Sequence, residues 1–273
     1  MSTNLLNNKT MAIIGMGKMG EIILNSILKN QLLSIENILG SDISKTRRDF
    51  IQEKYKIYCL PSNVDVVSRQ DIIIIAVEPK VFEPLMNEIR EVIDSKKLFI
   101  SIVAGVTTKM IEKELKEKIP VIRATPTPNA IVNESITVLC PGNYAKEQDI
   151  KIAKNIFNCL GLVEILNNEE LMDSVSAVSV IPAYAYTIIE ALTDGAVNTG
   201  LPRVFAKKLV TQNILGACKV LLTKDKHPGE LKDSLTTPGG LTIEGLRMIE
   251  RGNLRSNLIE SIIAVEKKCK KLT

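Results

Sequence analysis

The chain reads as an α/β protein, a doubly wound parallel sheet followed by an all-helical domain. Three observations predict this. Strand-like and helix-like stretches alternate through the first half, and a GxGxxG loop joins the first strand to the first helix. From about Glu169 the strand-like runs stop and long helical patterns take over, which places a domain boundary between residues 1–168 and 169–273.

The elements follow in order. Residues 11–15 (MAIIG) are a short apolar run ended by glycine, and residues 21–30 carry Ile22, Ile23, Ile27 and Leu28 on one helical side. Residues 38–41 read as a second strand and 45–54 as a polar helix. Residues 71–77 (DIIIIAV) are nearly all β-branched, as a strand buried on both faces requires. A helix is predicted over 81–93, a buried strand over 98–103, and a helix over 107–118 with Thr107 or Thr108 as N-cap. Short strands at 121–124 and 136–140 flank a Pro-rich stretch, 125–129. Such alternation implies parallel strands joined by right-handed crossovers. Helices are then predicted over 172–197, 203–223, 242–251 and 254–271. The segment 183–197 is apolar on more than one side, so it needs cover, and a second subunit supplies it more economically than the first domain does.

Composition narrows the function. The net charge of +4 is small and scattered, which argues against a nucleic-acid partner. Aromatic residues make up 4% with no tryptophan, so no stacking platform is present. The five cysteines are odd in number and never form a CxxC pair. They read as reduced, mostly buried thiols of a cytoplasmic protein without a metal site. No apolar run is judged long enough to span a membrane, and residues 1–10 lack a targeting signature.

Gly15, Gly17 and Gly20, with Lys18 and Met19 between them, form the GxGxxG pattern of a Rossmann-type dinucleotide site. One glycine makes the turn, one admits the pyrophosphate and one allows close helix–strand packing. The second strand ends at Ser41-Asp42, with Ser44, Lys45, Arg47 and Arg48 behind it. An acid there suits the ribose of NADH, whereas hydroxyls and arginines suit the extra phosphate of NADPH. The reading inclines to NADPH, with NADH as the alternative, and Asp42 as a simple helix N-cap stays open. Ala76-Val77-Glu78-Pro79 and Ala104-Gly105 follow the ends of buried strands, where open α/β sheets bind ligands. His227, the only histidine, reads as a loop residue with a satisfied hydrogen bond. Gly239-Gly240-Leu241-Thr242 opens a helix, which makes it either an anion site for a substrate carboxylate or an ordinary cap.

The coincidence of these features with His227-Pro-Gly-Glu-Leu-Lys-Asp233, Thr237-Pro-Gly-Gly-Leu-Thr242, Gly200-Leu-Pro-Arg203 and Ser101-Ile-Val-Ala-Gly105 resembles the pyrroline-5-carboxylate reductase family across nearly the whole chain. The resemblance implies reduction of a small cyclic imine acid to proline by NAD(P)H. It implies a Rossmann domain and an interlocked helical dimerisation domain, assembled as a homodimer or as a decamer of five dimers. It places the pyrophosphate on Gly15–Gly20, the ribose side on Asn63 and the nicotinamide side on residues 76–79. The substrate falls to Asp225, Gly239, Gly240, Leu241 and Thr242, with the Thr242 hydroxyl as the catalytic contact to the imine nitrogen. Four departures stand out: Thr125-Pro-Thr-Pro-Asn129 alters a loop expected near the nicotinamide, Leu241 is bulkier than the small residue usual there, and two more concern charge and backbone. Glu78-Pro-Lys80 replaces a Lys-Pro-Gln stretch, and Ser179-Val-Ile-Pro-Ala-Tyr184 lacks the family's glycines, although Val180 and Ile181 adopt positive φ only at a cost. Two other readings are a reductase of a different cyclic imine and a degenerate nucleotide-binding paralogue. A β-hydroxyacid dehydrogenase is disfavoured, because residues 172–197 contain no lysine.

Overall fold

The computed structural model describes residues 5–115 and 118–271. Apolar runs too short for helices make the strands, and amphipathic segments between them make the helices. The first unit holds β1 (Met11–Ile14), α1 (Lys18–Lys29), β2 (Ile38–Ser41), α2 (Lys45–Tyr55), β3 (Tyr58–Leu60) and α3 (Asn63–Ser68). It continues with β4 (Ile72–Ile75), α4 (Phe82–Ile89), β5 (Leu98–Ser101), α5 (Thr108–Glu114) and β6 (Val121–Thr125). It then adds β7 (Ser135–Pro141), α6 (Glu147–Asn158), β8 (Gly161–Ile165) and α7 (Met172–Val178). Its eight strands form one sheet in the order β3-β2-β1-β4-β5-β6-β7-β8.

Alternation along the strands divides the core in two. Ile13, Ile72, Ile74, Ile100 and Ile122 point to the face covered by α1, α2 and α6. Ala12, Ile14, Ile73, Ile75 and Phe99 point to the face covered by α3, α4 and α5. That double burial explains the unbroken isoleucine run of β4.

One expectation is corrected. β7 runs antiparallel to β6, because only residues 126–134 join them and a parallel return needs a longer crossover. The strands β3 and β8 and the helices α3 and α6 are additional to the predicted elements. The predicted 107–118 helix ends at Glu114, with Thr107 as its N-cap accepting from the Met110 N–H at 3.1 Å; residues 116–117 lie outside the described residues.

A buried charge cluster stiffens the end of this unit. Arg123 on β6 is 2% exposed and lies 3.6 Å from Glu169 and 3.3 Å from Asp173. Glu169 also accepts from the Thr108 N–H at 2.7 Å and from the Thr108 hydroxyl.

The chain divides into two compact units, Met1–Ser179 with Glu266–Thr273, and Val180–Val265. The second contains α8 (Ile181–Asn198), α9 (Arg203–Thr223), α10 (Pro228–Ser234), α11 (Leu241–Arg251) and most of α12 (Leu254–Cys269). The single helix predicted over 172–197 is two, α7 and α8. Ser179 and Val180 keep right-handed backbone, with φ −64° and −83°, and Ile181 opens α8, so the β-branched Val180 and Ile181 replace the family's glycines without positive φ. By length and composition alone the run Glu169–Asn198 would also pass as a membrane span, which corrects the reading that no apolar run is long enough. Within Val180–Val265 only Thr193 and Ala206 are buried.

Candidate active site

The sheet reverses its order at β1, which lies between β2 and β4. Two connections depart there in opposite directions and leave a crevice at the carboxyl ends of the strands. A cleft of about 330 Å³ fills this place, walled by Ile14, Gly15, Gly17, Ser41, Asp42, Asn63, Ala76, Val77 and Glu78. The sequence had singled out eight of those nine from separate stretches of chain.

Close packing explains the glycines. Gly15 sits at φ +88°, and a Cβ there would stand 2.7 Å from the Ala76 carbonyl oxygen. A Cβ on Gly20 would stand 2.2 Å from the Gly15 carbonyl oxygen, so α1 could not approach β1. Gly17 is different: a Cβ there would meet nothing within 4 Å, so its bareness leaves a surface open to a ligand. Gly17 is also the N-cap of α1, and no side chain caps that end. The first-turn amides, including those of Lys18 and Met19, therefore present donors and the positive end of the helix dipole. This cradle fits a pyrophosphate.

Asp42 is not the cap of α2; that role belongs to Ser44, whose hydroxyl accepts from the Arg47 N–H at 3.3 Å. Instead the Asp42 carboxylate pins the glycine loop, accepting from the Met16 N–H at 3.0 Å and the Ser44 N–H at 2.9 Å. The Ser41 hydroxyl donates to Asn63 at 2.8 Å, and the Asn63 amide donates to Glu88 at 2.8 Å. Arg47 turns toward the loop, donating to the Met16 and Gly17 carbonyls and pairing with Glu21. Burial opposes the charge of Glu21, but hydrogen bonds from Arg47, Lys54 and Tyr55 outweigh it and hold its carboxyl at about 2.

Glu78 and Lys80, the reversed charges of the Glu-Pro-Lys stretch, pair at 2.7 Å. Lys80 also lines the cleft, with Ile43, Val81 and Leu85. Sequence reasoning missed these four; the only available signal was an apolar Ile43 beyond a strand end. Pro79, Ala104 and Gly105 lie beyond strand ends but outside the cleft lining. Gly105 has φ +74°.

In the second unit, Gly239 takes φ +68° and Gly240 is the N-cap of α11 without a side-chain cap. Leu241 is 95% exposed, and Thr242 and Asp225 are exposed. His227 caps α10, its Nδ1 accepting from the Gly229 N–H at 3.1 Å, which is the satisfied loop role expected of it. Among the described residues no cluster of His, Cys, Asp and Glu is arranged to hold a metal.

A sheet with a glycine-loop cleft at its switch point, joined in one chain to a helical unit, defines a dinucleotide-dependent oxidoreductase. Residues 10–105 match the family model "NADP oxidoreductase coenzyme F420-dependent", and residues 169–272 match "Pyrroline-5-carboxylate reductase dimerisation". The chain is 35% identical to the pyrroline-5-carboxylate reductase of Methanosarcina acetivorans, over 98% of this chain and 99% of the relative. It is 32% identical to that of Escherichia coli, over 97% and 98%. Among solved structures, pyrroline carboxylate reductase of Plasmodium falciparum with NADP bound superposes with a TM-score of 0.88 at 28% identity, covering 97% of this chain and 98% of the other. The Coxiella burnetii pyrroline-5-carboxylate reductase gives 0.88 at 29%, covering 98% and 99%. The chain belongs to the pyrroline-5-carboxylate reductase family.

Proposed function

We propose that this protein reduces 1-pyrroline-5-carboxylate to L-proline, as a cytoplasmic homodimer that draws on a nicotinamide dinucleotide. The observation that carries the reading is the glycine-lined cleft at the β1–β2–β4 switch point, in a chain homologous to such reductases over 98% of its length. When bound, the dinucleotide supplies hydride to the imine carbon.

The chain's own work is holding, orienting and excluding water. Gly15, Gly17 and the first turn of α1 hold the pyrophosphate, while Ser41, Asp42 and Asn63 take the ribose side. Ala76, Val77, Glu78 and Pro79, with Ala104 and Gly105 beyond β5, bound the nicotinamide side. Gly239 and Gly240, whose own N–H donates to the Thr237 carbonyl at 2.9 Å, make the turn that brings the substrate carboxylate to the N-terminus of α11, Leu241 lies against its ring, and Asp225 contributes a substrate-side acid. The Thr242 hydroxyl hydrogen-bonds the ring nitrogen. An iminium that arrives protonated needs no general acid, in keeping with a histidine occupied as a helix cap.

Residues 169–273 serve as the dimerisation domain. Within it, Val180–Val265 buries only two residues, so its exposed Phe205, Leu209, Leu215 and Ile259 call for cover by a second copy. The test mixes purified protein with 1-pyrroline-5-carboxylate and NADPH, then NADH, following loss of nicotinamide absorbance and formation of proline. Oxidation with proline formed is the expected result; dinucleotide binding without turnover would assign the pocket to another imine or to a retired enzyme.

A further inference from the structure

Asp42 lines the cleft with its carboxylate, and the two arginines of α2 nearest to it are turned to other partners. Its carboxylate is held in place by the Met16 N–H at 3.0 Å and the Ser44 N–H at 2.9 Å. Arg47 is committed to two loop carbonyls and to Glu21. Glu21 in turn is held by Lys54 and by the Tyr55 hydroxyl, each at 2.9 Å, so the pair is locked from both sides. Arg48 is drawn under the strand end, its Nη1 donating to the Asp42 and Ile43 carbonyls at 2.8 and 3.0 Å. Lys45 pairs with Asp49 at 2.7 Å.

We infer that this cleft selects NADH over NADPH, with Asp42 as the discriminating residue and the Glu21–Arg47 pair drawing one guanidinium away from the ribose side. A ribose 2′-hydroxyl can donate to Asp42, since each carboxylate oxygen has a second lone pair. A 2′-phosphate offers only acceptors and meets a like charge, which costs affinity unless a cation intervenes. The inference rests on the reading of this cleft as the cofactor site, and its test separates the two.

Calorimetric titration of the full chain with NADH and with NADPH gives both dissociation constants without turnover. Adenosine 5′-monophosphate and adenosine 2′,5′-bisphosphate repeat the comparison on the adenosine end alone. NADH and the monophosphate should bind about tenfold tighter than their phosphorylated counterparts, since a like-charge contact costs on that order. Asp42→Asn keeps an acceptor for the Met16 amide, loses the one for the exposed Ser44 N–H, and should move the ratio toward NADPH by about tenfold. Equal or tighter binding of NADPH by the parent protein would overturn the inference and leave the cofactor site standing. A uniform loss of both ligands in Asp42→Asn would also overturn it, reducing Asp42 to a loop pin. Binding of neither dinucleotide would overturn the site reading and the inference with it.

Discussion

Thr242 stands in the first turn of α11, just after a glycine in left-handed backbone and a glycine cap. The Gly240 N–H donates to the Thr237 carbonyl at 2.9 Å, so this helix end offers the first-turn amides of α11 and one hydroxyl, and only the hydroxyl depends on the side chain. Thr242→Ala should therefore lower kcat by about a hundredfold, the scale seen when one positioned hydrogen-bonding group is removed from a reacting centre, with a smaller change in KM. Turnover within a few-fold of the parent would end its assigned role. At this scale the sequence was informative where residue type and backbone geometry are tied together. Gly15 and Gly20 were readable because any Cβ would collide with carbonyl oxygens. Asp42 was harder to read. Its position was clear, but its hydrogen bond to the Met16 amide spans 26 residues of chain, and no local pattern announces a partner so far away. The thiols were read in part: Cys59 and Cys140 are buried, and burial pushes both up to about 11, whereas Cys218 is exposed.

Between elements, the Glu21 cluster fastens α1 to α2 beside the glycine loop. Because the folded carboxyl is held at about 2 against an ordinary 4.5, its contribution to stability is complete above pH 4.5. It is lost as pH falls from 4.5 toward 2. Glu21→Gln should lower the denaturant midpoint at neutral pH and flatten its decline across that acid window. Parallel acid limbs for parent and variant would show that the cluster carries no folding energy. The elements with strong apolar patterns, β1, β2, β4, β5 and α9, stand where the sequence put them to within a few residues. β3 has three residues, and β8 is a half-exposed edge strand containing Glu164, so neither carries the pattern of a buried strand. The direction of β7 was set by the length of a connection rather than by its own residues. The junction between α7 and α8 was hidden for a related reason: its backbone stays right-handed, and apolar spacing runs through it.

For the whole molecule the governing fact is the thinness of the second unit's interior. Light scattering at micromolar concentration should return at least twice the chain mass of 30.1 kDa, and a single-chain mass would remove the dimer. The sequence indicated this through an apolar stretch too wide for one domain to cover, but could not say how far the assembly continues.

The guanidinium buried at Arg123 limits how this gene can be divided or recombined. Its carboxylate partners, Glu169 and Asp173, come from the far side of the change from strands to helices. A chain ending just before that change would leave a cation in the interior with neither partner, a defect of about 3–5 kcal/mol. The nucleotide-binding half thus depends on the opening residues of the segment after it, and any natural or engineered fusion at this seam must carry both acids along with the sheet.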